Sequence, residues 1–296
     1  MTVAFKKIAF VGLGQMGFPM ARHLVTAGLP VVGFDLSMAA REQFRTAGGK
    51  TADTIAEVLA RADCVITMLP GGKIVQDVLL GGGAPLADAA ETALIIDMSS
   101  SAPSDTRVLQ SRLPHRQRLV DAPVSGGVKR AVEGTLAIMT GGADRDVDEA
   151  LPLLQKMSAK LFRCGPVGAG HAMKAINNYV SGAGVIAAIE AVQLGQAFGL
   201  DPANMVDVLN ASSGKNNATD VKMKQFILSS TFGSGFGVGL MAKDIRIAAD
   251  LSKSLGLEQD QLQKTAATWE ETREALKSQV GKNELSVNTS CQPSSG

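Results

Sequence analysis

The feature that most constrains this chain is a glycine-spaced turn set directly after a short apolar run. Residues 8–11 read Ile-Ala-Phe-Val, and the chain continues Gly12-Leu13-Gly14-Gln15-Met16-Gly17 into a segment of helical spacing. Gly12 permits the tight turn, Gly14 lets a ligand approach the backbone, and Gly17 lets helix and strand pack closely. The helix start presents N–H groups and a positive dipole end, which suits a pyrophosphate. A second apolar run ends in Asp35, about 20 residues on, where a dinucleotide-binding unit places an acid against the ribose hydroxyls. A carboxylate there repels a 2′-phosphate, so NAD is expected over NADP, with Arg41 a distant candidate to hold such a phosphate. Taken alone, the turn also fits FAD, S-adenosylmethionine or no ligand.

The surroundings of the turn set the fold class. Apolar runs at 8–11, 31–34, 64–69, 94–98 and 119–124 read as buried strands, with further strands at 134–142 and 161–164. Segments of helical spacing, among them 16–27, 54–61 and 103–113, lie between them. Such alternation implies βαβ units, hence an α/β, doubly wound parallel sheet of Rossmann type. After Gly170 the pattern is helical throughout: 171–198, 202–211, 220–229, 241–255 and 259–276. We therefore expect a nucleotide-binding domain over 1–165 and an all-α domain over 166–296, joined by one long interdomain helix. Small residues along that helix (Ala175, Ser181, Gly182, Ala183, Gly184, Ala187, Ala188) let other helices come close. Residues 280–296 are polar and expected to fray.

Composition excludes several classes. The 296 residues carry a formal net charge of +1, and only 4% are aromatic, which argues against a nucleic-acid partner. Cys64, Cys164 and Cys291, and His23, His115 and His171, are too scattered for a disulfide framework or a metal site. No apolar stretch reads as long enough to span a bilayer, and residues 1–7 lack the apolar core of a signal peptide. A cytoplasmic address, without a membrane partner, is the expectation.

Five further stretches carry candidate chemistry. Met68, Leu69 and Pro70 follow a strand end and should flank the cofactor, since ligands sit beyond the carboxyl ends of parallel strands. Ser99, Ser100 and Ser101 follow the next strand; they can cap a helix at Pro103 or reach the nicotinamide ribose. Ser125, Gly126 and Gly127 form a loop whose N–H groups can converge on an anion, a carboxylate being the natural guest. Lys174 falls in what reads as the first turn of the long helix. The helix dipole and partial burial there disfavour its charged form, which suits a proton-transfer group. Asn178, four residues on, shares its helix face, and Asn177 lies near it. Lys243, in Met241-Ala242-Lys243-Asp244, can close over the nicotinamide or a substrate carboxylate, or simply pair with Asp244. The plain alternatives are solvent-reaching lysines and empty turns.

Taken together, the segments FVGLGQMGFPMARHL, ITMLP, DMSSSAP, DAPVSGGVKRAVEGTLAIMTGG, GPVGAGHAMKAINN and LMAKD resemble the β-hydroxyacid dehydrogenase family, 3-hydroxyisobutyrate dehydrogenase-like members above all. The resemblance covers roughly residues 6–276, with the motifs in family order. It implies NAD-dependent interconversion of a small 3-hydroxy acid and its semialdehyde. It places Gly12, Leu13, Gly14, Met16, Gly17 and Asp35 around the adenosine diphosphate, and Leu69 and Ser100 on the nicotinamide side. It gives Ser125, Gly126 and Gly127 the substrate carboxylate, Lys174 the role of general acid/base, Asn178 that of its partner, and Lys243 the nicotinamide and substrate end. No metal is implied. The expected partners are a small carboxylate substrate and a second copy or more, as homodimer or homotetramer. Tartronate semialdehyde reductase, a threonate or sugar-acid dehydrogenase, an imine reductase and a non-catalytic dinucleotide-binding scaffold are the alternatives. The end of the chain, 278–284 and the polar tail, departs from the family pattern.

Overall fold

A computed structural model describes residues 5–82, 85–114, 116–233 and 235–278. His115, Cys291 and the polar tail lie outside the described residues. The described chain divides into two compact units, with the boundary between Lys174 and Ala175.

The first unit is built on strands β1 (Ile8–Val11), β2 (Val31–Phe34), β3 (Lys50–Thr51), β4 (Cys64–Thr67), β5 (Leu94–Asp97), β6 (Arg118–Asp121), β7 (Val124–Ser125), β8 (Leu136–Gly141) and β9 (Ser158–Gly165). They form one sheet in the order β3-β2-β1-β4-β5-β6-β8-β7, with β9 paired to β8. β1, β4 and β5 are buried along their whole length, as expected of unbroken apolar runs in a parallel sheet covered on both faces. Helices α1 (Gly17–Thr26), α2 (Met38–Thr46), α3 (Ile55–Leu59), α4 (Gly72–Leu80), α5 (Pro103–Arg112), α6 (Gly127–Glu133) and α7 (Asp144–Leu154) connect them. Local chemistry sets several starts. The Ser37 hydroxyl accepts from the N–H of Ala40 at α2, the Thr54 hydroxyl from Glu57 at α3, and Pro103 opens α5. Two apolar clusters fill the unit. One gathers Phe10, Met20, Leu24, Phe44 and Ile138, and the other Val11, Leu59, Val65, Leu79 and Ile95.

The doubly wound sheet is as expected, with one refinement. β1 to β6 run parallel, but β8 is antiparallel to β6 and to β7. The expected strand 119–124 is two strands, because Pro123 has no N–H for a ladder and the chain breaks there.

The second unit takes up helix α8 (Ala169–Phe198) from Ala175 onward, then α9 (Pro202–Ala211), a π-helix (Ala218–Leu228), α10 (Val238–Ser254) and α11 (Asp260–Ser278). Its core gathers Val185, Ile189, Val192, Val206, Met223, Ile245 and Trp269. The small residues of α8 have the effect expected of them. A Cβ at Gly182 would meet Ile245 Cδ1 at 2.5 Å, and one at Gly195 would meet Met205 Sδ at 2.3 Å. Trp269 Nε1 donates to the Gly182 carbonyl at 3.2 Å, so the indole is buried with its polar atom satisfied. α8 corrects the expectation that no stretch is long enough to cross a bilayer, since it passes on length and composition alone. Its Val185, Ile189 and Val192 pack into the core of the second unit.

Candidate active site

The glycine turn is where the sequence pattern places it. Gly12 has φ +100°, and a Cβ on it would stand 2.3 Å from the Met68 carbonyl. A Cβ on Gly17 would meet the Gly12 carbonyl at 1.9 Å. Both glycines are therefore demanded by the protein's own packing. Gly14 is different: it is exposed, and a Cβ there would meet nothing within 4 Å. Its missing side chain answers no need of the fold and leaves the backbone open to a ligand. No side chain caps the N-terminus of α1, which leaves that end suited to a phosphate. The turn thus fits a dinucleotide. Leu13 is buried and Met16 half-buried. The Asp35 carboxylate is held in place at the rim, accepting from the N–H of Leu13 and of Ser37, each at 2.8 Å. Arg41 turns away from any 2′-phosphate role: it donates to the Asp35 backbone carbonyl at 2.7 Å and lies over the Phe34 ring at 5.8 Å.

The turn continues into the ends of β4 and β5. Met68 touches Gly12, and Leu69 N–H donates to the Ser99 hydroxyl at 2.9 Å. Met68, Leu69, Pro70 and Ser100 are thereby brought to one edge with the glycine turn, at the point where strand order reverses between β1 and β4. Ser125 lies on β7 rather than in a loop, and Gly126 and Gly127 form the junction into α6, with φ +134° and +66°. These three are a strand end and helix entry, because Ser125 pairs with Ala137 of β8.

Next to this edge lies a buried polar cluster whose members fall in separate motifs of the sequence. Asp97, ending β5, accepts from the Thr67 hydroxyl, the Ser99 N–H and the Ser101 hydroxyl at 2.9–3.0 Å. Asp121, ending β6, accepts from the N–H of Gly168 at 2.7 Å and of His171 at 2.8 Å. The carboxylate of a strand end thus caps the start of α8. Burial raises the Asp121 pKa, against the lowering by His171 and by these N–H groups. A Cβ at Gly170 would meet the Met139 carbonyl at 2.4 Å and the Asp121 carbonyl at 2.9 Å, so the first turn of α8 lies directly on β6 and β8. Asp97, Asp121 and His171 had no place in the expected site, because each is unremarkable until the sheet brings them together.

Lys174 is buried at 7% exposure. α8 starts at Ala169, so Lys174 stands in its second turn, not its first. The helix dipole acts less on it there, because that effect falls off within the first turn. Asn178 and Lys243 belong to the second unit. Asn178 is buried, and its Nδ2 donates to Asp244 Oδ2 at 2.6 Å. A carboxylate accepts only, so this bond fixes which way the amide points. Asn177 Nδ2 donates to Asn178 Oδ1 at 3.1 Å. Asp244 is buried too, so the expected Lys243–Asp244 pair, at 3.4 Å, is not an ion pair of two exposed groups.

Two family descriptions match the chain: the NAD-binding domain of 6-phosphogluconate dehydrogenase over residues 7–165, and the NAD-binding part of NADP-dependent 3-hydroxyisobutyrate dehydrogenase over 168–286. A 2-(hydroxymethyl)glutarate dehydrogenase from Eubacterium barkeri is 37% identical over 248 residues, 83% of this chain and 82% of that one. The chain belongs to the β-hydroxyacid dehydrogenase family. An NAD-dependent L-serine dehydrogenase from Pseudomonas aeruginosa is 36% identical, over 84% of this chain and 86% of its own. Among solved structures, Mycobacterium tuberculosis 3-hydroxyisobutyrate dehydrogenase with L-serine is similar at a TM-score of 0.84 and 35% identity, over 90% of this chain and 92% of that one. With the family come its class and cofactor: the chain is an NAD-dependent oxidoreductase acting on CH–OH groups.

Proposed function

We propose that this β-hydroxyacid dehydrogenase interconverts a small 3-hydroxy acid of the 3-hydroxyisobutyrate type with its semialdehyde, and that Lys174 is its general acid/base. The observation that carries this reading is the burial of Lys174 on a helix whose first turn is anchored on the ends of β6 and β8. Burial disfavours the charged amine and suits a group that must accept a proton.

In this reading Gly12, Leu13, Gly14, Met16 and Gly17 cradle the pyrophosphate with backbone N–H groups, and Asp35 accepts from the ribose hydroxyls. Met68, Leu69, Pro70 and Ser100 line the nicotinamide side. When bound, NAD supplies the hydride acceptor. Lys174 takes the hydroxyl proton as the carbinol carbon gives up its hydride, and returns a proton to the carbonyl oxygen in reduction. Asn178 holds that oxygen with the second N–H of its amide, the first being committed to Asp244. Ser125, Gly126 and Gly127 hold the substrate carboxylate, and Lys243 has the role of a binding residue for the nicotinamide and the substrate. We also propose that the protein works as a homodimer or homotetramer, which the largely exposed apolar side chains of Val180, Leu194 and Phe198 support.

The test is a spectrophotometric screen of short 3-hydroxy acids, with (S)-3-hydroxyisobutyrate, L-serine, D-glycerate and L-threonate among them, against NAD and NADP. Turnover of at least one 3-hydroxy acid, with NAD preferred, is expected. No turnover of any of them, or turnover only with NADP, contradicts the reading.

A further inference from the structure

His171 precedes Lys174 by one helical turn, and its ring is fully buried. Its Nε2 lies 3.0 Å from the Ser99 carbonyl. A carbonyl only accepts, so Nε2 carries the hydrogen. Its Nδ1 lies 2.7 Å from the Thr106 hydroxyl of α5. The carboxylates of Asp97 and Asp121 flank the ring at 3.8 and 3.7 Å. Each nitrogen of the imidazole thus has a partner, and the two partners stand on different elements.

What gives these contacts a functional direction is where they lead. Ser99 is not only the acceptor for His171: its hydroxyl accepts from Leu69 N–H, and its own N–H is held by Asp97. A single chain of bonds therefore runs from α8, through the imidazole, into the loops after β5 and β4. Those loops carry Ser100, Met68, Leu69 and Pro70. Asp121 fixes the backbone of the same helical turn from the end of β6. Packing alone could hold a helix against a sheet, but it would not need two opposed polar contacts on one buried ring. A buried polar group without partners carries a large desolvation cost, and an apolar side chain would avoid that cost altogether.

We propose that His171 is a positioning residue for the reaction. It sets the place of Lys174 relative to the loops on the nicotinamide side by tying α8 to Ser99 and Thr106. The inference rests on the reading of Lys174 as acid/base. It predicts that the ring's hydrogen bonds, and not its volume, matter to turnover. The geometry required for proton transfer is narrow, and a displacement of about 1 Å can reduce a rate by about 10²-fold.

The test compares His171→Leu, which fills the space without hydrogen bonds, with His171→Gln, whose terminal amide reaches Ser99 as Nε2 does. Thr106→Val keeps the shape of the side chain but removes the second partner, together with the hydroxyl's bond to the Ala102 carbonyl. Turnover is measured on the holoenzyme with NAD and whichever of (S)-3-hydroxyisobutyrate or L-serine reacts faster; NADH affinity is measured by fluorescence titration. His171→Leu should lose about 10-fold to 10²-fold in kcat, with NADH affinity little changed. His171→Gln should recover most of that loss, and Thr106→Val should lose less than His171→Leu. Reductive methylation of Lys174, read by mass spectrometry, is followed alongside in the NADH-bound protein: the amine should label faster in His171→Leu and at the wild-type rate in His171→Gln. If wild type turns over none of the 3-hydroxy acids of the screen, the acid/base reading fails while the labelling still tests the tether. Wild-type kcat and labelling in His171→Leu overturn the proposal. So does a loss of kcat that His171→Gln shares in full.

Discussion

Asp121 and Asp244 are both buried carboxylates, one in each unit, and they differ in how completely their oxygens are used. At Asp121 each oxygen accepts a backbone N–H from the start of α8. At Asp244 one oxygen accepts from Asn178, while the other has no hydrogen bond among the described residues and faces the Lys243 ammonium at 3.4 Å. At Asp121 both oxygens are committed to the backbone of one helix start, so its worth is structural. A half-used carboxylate retains capacity beside two residues assigned to the substrate end. The same side chain thus anchors a helix start in one unit and, in the proposed function, orients Asn178 in the other.

The contrast is broken or sharpened by three measurements. The largest effect on stability is expected from Asp121→Ala, which leaves two buried N–H groups unpaired. The cost is roughly 2–6 kcal/mol, read as a lowered urea midpoint. A loss too small to move the midpoint would mean that the cap is replaceable and the contrast false. Asp244→Ala should act chiefly on function. The amide of Asn178 loses its orientation, and kcat/KM should fall about 10-fold to 10²-fold. The midpoint should shift less than in Asp121→Ala, because a half-satisfied carboxylate brings its own desolvation cost. Equal loss of stability in both variants would erase the distinction.

The smallest effect is a pH dependence. Burial raises the folded pKa of Asp121, so the folded state holds its proton to higher pH than the unfolded chain does. The stability this group contributes is present below its unfolded pKa and is lost as pH rises through the raised folded value. The difference in unfolding free energy between wild type and Asp121→Asn should therefore shrink as pH rises from about 4, near the unfolded value, toward neutrality. A difference that grows over that range would reverse the sign and contradict the burial argument.

Much of the fold was legible because its signals are local. Gly12 and Gly17 stand where a side chain would strike backbone, and such positions announce themselves as glycine. The alternation of apolar runs with helical segments reads directly as a doubly wound sheet. The reversal of β8 was not legible, since an apolar run carries no mark of its direction. The π-helix at Ala218–Leu228 differs from an α-helix only in its hydrogen-bond register, which apolar spacing does not separate. The start of α8 was placed two residues late, because Ala169 and Gly170 look like the end of a glycine loop. In fact Gly170 is small so that the first turn can lie on β6 and β8.

At the candidate site the same division holds. The cofactor turn and Asp35 form a spaced motif within one stretch of chain. Asp97, Thr106, Asp121 and His171 come from four elements and meet only through the sheet order β4-β5-β6 and the return of α8. Three histidines scattered along a chain carry no signal of that. A buried carboxylate at a strand end, followed later by a helix beginning with glycines, is the one hint the residues hold.

The central claim, that Lys174 moves the proton, is tested most directly by Lys174→Met, which keeps the length and burial of the side chain without its amine. Turnover of the preferred 3-hydroxy acid with NAD should fall by about 10²-fold to 10⁴-fold, while NADH binding measured by fluorescence stays close to wild type. Turnover near the wild-type rate in that variant, with cofactor binding intact, would contradict the account.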